Sequence, residues 1–167
     1  MFNKYMQIAI DVAKKQNKNK PKNKQEIPVG CVIVDNLTNK IVAKSCNKTI
    51  SKNNPLMHAE IICINKALKK LQTNRLTNCS MYITLEPCCM CSGAICLAKI
   101  SKIYIGCTSE KTGCVINNHK HFNSLVANYK PEIYYPIMEE DCKNLIKSFF
   151  QDIWQYCFFA IKYRYVA

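Results

Sequence analysis

The sequence predicts an α/β fold in which helices cover the faces of a mixed β-sheet. About half of the 167 residues are hydrophobic (49%), enough for a buried core, and the length suits one domain spanning residues 1–167. After an initial hairpin pattern, strand-like and helix-like segments alternate, which is typical of parallel strands joined by crossover helices. The hairpin adds an antiparallel pair, so the predicted sheet is mixed.

An amphipathic helix and a lysine-rich segment come first. Apolar residues recur at helical spacing and predict a helix that ends near Lys15; they are Tyr5, Ile8, Ala9 and Val12. Residues 14–26 then contain six lysines and Pro21, with no apolar side chain to bury. This composition predicts a solvated loop.

The remaining elements follow in regular order. Residues 29–45 predict a hairpin, because two strand-like runs flank the turn NLTN. The later patterns are a helix at 57–71, a strand at 80–85, a helix at 88–98 and a strand at 102–107. They end with a short helical stretch near 119–127, a possible strand at 132–135, a helix from near Glu139 past Phe150, and the aromatic tail 151–167.

The net charge and the cysteines indicate which kind of partner and which cellular compartment to expect. A net charge of +13 suits a polyanionic partner such as RNA. Twelve cysteines could indicate a secreted disulfide scaffold, but they are scattered through apolar patterns and we find no signal-peptide pattern. We expect thiols in a reducing cytoplasm at Cys31, Cys46, Cys63, Cys79, Cys107, Cys142 and Cys157. The apolar stretch around Gln155 is too short to span a bilayer, so no membrane association is expected.

Two predicted helix starts carry residues with metal-binding chemistry. His58 and Glu60 stand two residues apart at one start, and Cys88 and Cys91 stand three residues apart at the other. Pro87 suits the first position of the second helix, and its two thiols would leave the same face. If the two starts face each other, His58, Cys88 and Cys91 can hold one tetrahedral zinc ion.

The number of ligands decides what kind of zinc site this would be. Three protein ligands leave the fourth position open, as in catalytic sites, whereas structural sites are usually closed by four. Glu60 is then placed to move protons rather than to bind metal. A lone histidine or a lone C-x-x-C has ordinary structural explanations, but His-x-Glu followed 27 residues later by Pro-Cys-x-x-Cys indicates one metal site. The pair His119 and His121 stands in a polar stretch, where a solvated loop is expected.

The chain resembles the tRNA-specific adenosine deaminase family from about residue 28 to residue 150. The resemblance is carried by PVGCVIV, Asn47 after the second strand, HAEI, TLEPCCMCSGAI, KIYIGC, EKTGC and SFF. It implies a three-layer α/β/α sandwich of the cytidine deaminase type, with a mixed five-stranded sheet, and a homodimer. The lysine-rich segment is longer than the family's usual turn, and the aromatic tail also departs from the family pattern.

The resemblance also implies the site. The residues it assigns are His58, Cys88 and Cys91 as ligands of one zinc ion per subunit, Glu60 as proton carrier, and Asn47, Ala59 and Phe149 as substrate contacts.

The expected function is zinc-dependent hydrolytic deamination of adenosine to inosine at the wobble position, A34, of a tRNA anticodon stem-loop. The zinc motif alone leaves open a deaminase of a free base or nucleotide, such as guanine, cytosine or dCMP. A different class of function would be a structural zinc module, closed by Cys89 or Cys96, that only binds RNA. Glu60 argues against that module, because a closed site needs no proton carrier.

Overall fold

The computed structural model describes residues 2–117, 122 and 127–164, with 154–164 described as backbone. Within these residues the elements are α1 Phe2–Gln16, β1 Gly30–Asp35, β2 Ile41–Cys46, α2 Ala59–Leu71, β3 Cys79–Leu85, α3 Cys89–Ala98, β4 Lys102–Cys107, β5 Glu132–Tyr134 and α4 Glu139–Arg164. Each predicted helix and strand in this range is confirmed to within about two residues. The pair His119 and His121, and most of the predicted stretch 119–127, lie outside the described residues.

The sheet has five strands in the order β2-β1-β3-β4-β5. Strand β1 is antiparallel to both β2 and β3, whereas β3, β4 and β5 are parallel. The largely parallel, mixed sheet is therefore confirmed, since four strands run in one direction and β1 runs against them. The crossover through α2 skips one strand, so β1 lies between β2 and β3.

Helices cover both faces of the sheet, which confirms the three-layer sandwich. Helices α2 and α3 pack on one face through residues such as Cys63, Ile64, Ala67, Ile95 and Cys96. Helices α1 and α4 pack on the other through Tyr5, Met6, Ala9, Ile10, Cys142 and Leu145. Along the chain that the structure describes, no helix is long and apolar enough to cross a membrane.

Close packing of α1 against β1 requires glycine at one position of β1. A Cβ atom on Gly30 would overlap the carbonyl oxygen of Ala9, so a larger residue would push the helix off the strand. On the same face, Tyr82, Tyr104 and Tyr134 stand opposite one another on β3, β4 and β5. Their rings stack at centroid distances of 4.4 and 4.6 Å, which ties the three parallel strands together.

The lysine-rich segment is largely exposed, and its own side chains close it. Helix α1 continues to Gln16, and a short 3₁₀ turn spans Lys22–Lys24. Asn17 closes the segment: its amide nitrogen donates to the carbonyl oxygen of Glu26 at 2.6 Å, and the backbone N–H of Glu26 donates back to Asn17 Oδ1 at 2.8 Å. The composition alone does not reveal this closure. It depends on asparagine and glutamine side chains that hydrogen-bond to backbone groups, which in a solvated loop would bond to water.

Candidate active site

The starts of α2 and α3 meet at one end of the sheet. His58 is the N-cap of α2 and Cys88 is the N-cap of α3, so Pro87 precedes the cap instead of occupying the first helical position as predicted. Neither side chain makes a hydrogen bond that caps its own helix. Both are therefore directed to other partners, although their backbone positions are those of capping residues.

His58, Cys88 and Cys91 come together with the spacing that a tetrahedral zinc ion requires. The Nδ1 atom of His58 lies 3.8 Å from Sγ of Cys88 and 3.6 Å from Sγ of Cys91. All three ligand atoms lie within 4.8 Å of one another. With usual Zn–S and Zn–N bond lengths of about 2.3 and 2.0 Å, a tetrahedral ion places sulfur and nitrogen about 3.5 Å apart. The donor set and its geometry therefore fit zinc.

The two thiols differ in their tendency to ionise. A hydrogen bond from Cys91, reinforced by His58, lowers the pKa of the Cys88 thiol to about 4. The same bond, together with burial, raises the pKa of the Cys91 thiol far above its usual range. The Cys88 sulfur is thus a ready thiolate at neutral pH, the form in which cysteine binds metal.

Glu60 lies in the first turn of α2 and is almost completely buried, with 3% of its surface exposed. Burial raises the pKa of its carboxyl group to about 7. A carboxyl group of this kind can hold or release a proton near neutral pH. Glu60 lines the same cavity as His58 and Cys88.

Asn47 is fixed beside the start of α2. The backbone N–H of Ala59 donates to Asn47 Oδ1 at 2.9 Å, and Asn47 Nδ2 donates to the carbonyl oxygen of Ile27 at 3.1 Å. These two bonds orient the amide group and leave it one further donor and one further acceptor site. The structure thus brings Asn47 and Ala59 to the site, and their contact with a substrate stays a prediction.

These residues line a cavity of about 250 Å³. Its lining consists of Ile27, Val29, Asn47, Thr49, His58, Glu60, Leu85, Glu86, Cys88 and Thr112. Apolar side chains and a few polar groups of fixed position are typical of a site that holds a small flat molecule.

Phe149 does not line this cavity. It is buried, with 8% exposure, and it borders a different cavity between α1 and α4. Its neighbour Phe150 is 42% exposed and lines a groove of about 570 Å³ that shares Ile27, Leu85 and Thr112 with the site cavity. A substrate contact by Phe149 stays a prediction, and Phe150 lies nearer the site.

Sequence reasoning missed Glu86, which organises the loop beside the cavity. Its buried carboxylate accepts hydrogen bonds at 2.7–3.1 Å from the backbone N–H groups of Ser109, Val115, Ile116 and Asn117. A Cβ atom on Gly113 would overlap that carboxylate, so the loop closes around it only with glycine there. The available indication was a carboxylate directly after the buried strand β3 and two residues before Cys88.

Neither candidate for a fourth zinc ligand joins the cluster. Cys89 is bonded to Cys114 through sulfur, with their Cα atoms 5.2 Å apart. Cys96 donates its thiol hydrogen to the carbonyl oxygen of Tyr129 at 3.1 Å. Six of the seven expected thiols are free and Cys157 is not described at the side-chain level, whereas the Cys89–Cys114 pair was not predicted. In the described part of the chain the ligand cluster has three members, which is the open arrangement.

Comparison with known proteins agrees with this geometry. The family described as cytidine and deoxycytidylate deaminase zinc-binding region matches residues 2–107. The tRNA-specific adenosine deaminase of Rickettsia felis is 46% identical over 131 residues, covering 78% of this chain and 91% of that protein. A solved structure from a study of A-to-I editing by tRNA:A34 deaminases is 31% identical with a TM-score of 0.77, covering 84% of this chain and 96% of that one.

A guanine deaminase structure from Bacillus subtilis is more distant. It is 25% identical with a TM-score of 0.58, and the match covers 84% of this chain and 88% of that chain. Identity and structural agreement both favour the tRNA-acting relatives over it. The chain belongs to the tRNA-specific adenosine deaminase family, within the zinc-dependent cytidine and deoxycytidylate deaminases.

Proposed function

We propose that this protein is a hydrolase that converts adenosine to inosine at the wobble position of a tRNA anticodon. The observation that carries the proposal is the open set of three zinc ligands with the buried carboxyl group of Glu60 in the same cavity. That arrangement supports hydrolytic deamination. The similarity to tRNA-specific relatives indicates that the substrate is an adenosine in tRNA.

The chain's own residues divide the work between binding and proton transfer. His58, Cys88 and Cys91 would hold one zinc ion per subunit. When bound, the ion supplies a water molecule acidic enough to give hydroxide near neutral pH. Glu60, whose pKa lies near 7, can accept a proton in the cavity and return it to the ring nitrogen or the departing amine.

Asn47 serves to orient the base. Its amide is held by Ala59 and Ile27, so its free donor and acceptor positions are already oriented for a base. Binding therefore costs little side-chain conformational entropy. Leu85 and Val29 contribute apolar walls to the cavity. The amine at position 6 of adenine then comes to lie next to Glu60 and the zinc ligands.

The groove beside the cavity suits the nucleotides that flank the adenosine. Exposed Phe150 offers a surface on which an unstacked base can stack. Lys111, Lys143 and Lys147 line the same groove and can neutralise phosphates, although Lys143 also pairs with Glu139 at 2.9 Å. A free base would leave all these groups unused, and a loop in RNA would occupy them.

The test compares substrates directly. Purified protein is incubated with an anticodon hairpin carrying adenosine at the wobble position, with the same hairpin carrying cytidine there, and with free guanine and cytosine. We expect inosine from the first and no reaction in the others. Release of ammonia from a free base without inosine in RNA would favour a small-molecule deaminase instead.

We also propose that the enzyme works as a homodimer in the cytoplasm, where its substrate would be found. Helix α3 presents a face of Met90, Gly93, Ala94 and Leu97 at helical spacing. Leu97 is 67% exposed, and a Cβ atom on Gly93 would meet no atom within 4 Å. A second copy packed there would lie on the helix that carries Cys91. Light scattering of wild type and Leu97→Glu tests this, since one charge on each copy should shift the dimer to monomer.

A further inference from the structure

We propose that the lysine-rich cavity between α1 and α4 binds backbone phosphates of the RNA stem. The inference rests on the proposed function and adds a second contact surface to it, distinct from the cavity around Glu60. Its members are Lys14, Lys15, Lys18 and Lys22, which line a cavity of about 450 Å³ with Asn17, Gln25, Pro28, Leu145, Ser148, Phe149 and Asp152.

Hydrogen bonds and one ion pair hold the backbone of this surface together. Reciprocal hydrogen bonds between Asn17 and Glu26 close the segment, and Gln16 Nε2 donates to the carbonyl oxygen of Ile27 at 3.0 Å. Lys22 anchors its middle to α4 through an ion pair with Asp152 at 2.6 Å. These contacts hold the backbone that carries the other lysines, so less backbone entropy is lost when they bind a ligand.

Among the residues that the structure describes, the positive charge of this cavity is not balanced by carboxylates. Lys14, Lys15 and Lys18 are exposed, and none makes an ion pair with a carboxylate in the described residues. Asp152 is the acidic residue in the lining, and Lys22 already neutralises it. Three cations thus remain available for an anion.

The lysine-rich cavity lies close to the groove that adjoins the active site. The site cavity and the Phe150 groove share Ile27, Leu85 and Thr112. The groove and the lysine-rich cavity lie on neighbouring sides of α4, since Phe150 borders the first and Phe149 the second. An RNA whose loop nucleotide enters the site and whose neighbours fill the groove reaches the lysines next along its backbone.

The chemistry of the cavity selects the sugar–phosphate backbone rather than bases. Its aromatic residue, Phe149, is buried and offers no face for stacking. Lysines act as point charges that neutralise phosphates without reading sequence. The partner is therefore a regular duplex backbone, such as the stem below an anticodon loop.

Lysines near a helix C-terminus also have a simpler role. Lys14 and Lys15 lie in the last turn of α1, where positive charge stabilises the helix dipole. That role would change the stability of the protein and leave RNA binding unchanged, so the two can be separated by experiment.

The test uses Lys14→Gln, Lys15→Gln and Lys18→Gln in one variant. Its control carries Lys66→Gln, Lys69→Gln and Lys70→Gln on α2, on the other face of the sheet, and loses the same net charge. Binding of a labelled anticodon hairpin with cytidine at the wobble position is measured over a salt series. Inosine formation is measured with the adenosine hairpin, and thermal unfolding checks that both variants are folded.

We expect the slope of log K against log salt to become shallower by about 2–3 for the cavity variant only. Its kcat/KM for inosine formation should fall about tenfold or more, with kcat at saturation unchanged, since none of its lysines lines the site cavity. A hairpin with a shortened stem should abolish the difference between the variant and wild type.

Equal slopes for the cavity variant and the α2 control, with wild type making inosine, would overturn this inference and leave the proposed function standing. The same holds if the difference persists on the short-stem hairpin, because the lysines would then contact the loop. If the wild-type protein makes no inosine from any hairpin, the proposed function itself fails.

Discussion

At the scale of single residues, neighbouring cysteines have different roles. Cys88 and Cys91 lie 3.8 and 3.6 Å from the ring nitrogen of His58, whereas Cys89 between them turns to Cys114. A cysteine at an N-cap and one three residues later leave a helix on the same face, and Cys89, one residue after the N-cap, does not.

This arrangement predicts the outcome of serine substitutions. Cys88→Ser and Cys91→Ser should each abolish zinc binding, because two ligands do not hold the ion against competing chelators. Cys89→Ser should keep close to one zinc per chain. Elemental analysis of purified proteins measures this, and full zinc in the Cys88→Ser protein would contradict the assignment.

Glu60→Gln should keep both the fold and the zinc but lose turnover. The amide has nearly the shape of the carboxyl group and cannot carry its proton. General acid–base groups are typically worth about 10²–10⁴-fold in rate, and the loss in kcat should be of this order. Single-turnover kinetics with zinc content measured in parallel checks it. Activity within tenfold of wild type would place the proton carrier elsewhere.

The clustering of His58, Cys88 and Cys91 beside Glu60 could be predicted from the sequence, because their spacing within two helix starts is local. Glu86 could not, since its partners between Ser109 and Asn117 are more than twenty residues away. The division of the phenylalanines, with Phe149 buried and Phe150 exposed, depends on how α4 is rotated against its neighbours. The sequence of two adjacent phenylalanines does not reveal how the helix is rotated.

At the scale of elements, two buried carboxylates hold the segments that border the site. Glu86 fixes the loop after β4, and Glu26 fixes the segment after β2 through Thr49, Ile50 and Ser51. In each case one side chain collects backbone N–H groups that a loop would otherwise expose to water.

Replacing Glu86 should loosen its loop. Glu86→Ala removes the acceptor for four backbone N–H groups, some of them buried, at a cost of about 3 kcal/mol or more in unfolding free energy. Hydrogen exchange should accelerate at Val115 and Ile116 and stay unchanged in β1. Glu132→Ala, which removes an exposed carboxylate, is the control. Unchanged protection in the loop would rule out this role for Glu86.

The environment of Glu26 should make its contribution to the stability of the protein depend on pH. Burial alone would raise the pKa of its carboxyl group, but hydrogen bonds from Ser51, Ile50 and Thr49 lower it below its usual value. A pKa lowered by folding gives stability that is present above the unfolded pKa of about 4.3 and lost as pH falls through the folded value.

The stability gap between wild type and Glu26→Gln should therefore be largest near neutral pH and shrink below about pH 4. Denaturant unfolding of both proteins across this pH range measures the gap. A gap that grows as the pH falls would contradict the assigned sign.

Element types were predictable because apolar spacing is a local property. Strand order was not, since pairing joins residues far apart in sequence, and the position of β1 between β2 and β3 depends on that pairing. The closure of the segment 14–26 was not predictable for a related reason: the bond between Asn17 and Glu26 depends on tertiary position.

At the scale of the whole molecule, the site is small and the surfaces around it are large. A cavity of about 250 Å³ adjoins a groove with which it shares lining residues, and a lysine-rich cavity lies on the neighbouring side of α4. The net charge of +13 is thus partly concentrated where a polyanion that enters the site would pass. A single domain over residues 1–167 and a homodimer stay predictions.

The central claim is that the cavity around Glu60 acts on adenosine held in an RNA loop. The most direct measurement digests an anticodon hairpin after reaction and locates inosine by mass spectrometry, for wild type and for Glu60→Gln. We predict inosine at the wobble position with wild type, none at other adenosines, and almost none with Glu60→Gln. Ammonia released from a free base, with no inosine at the wobble position, would contradict it.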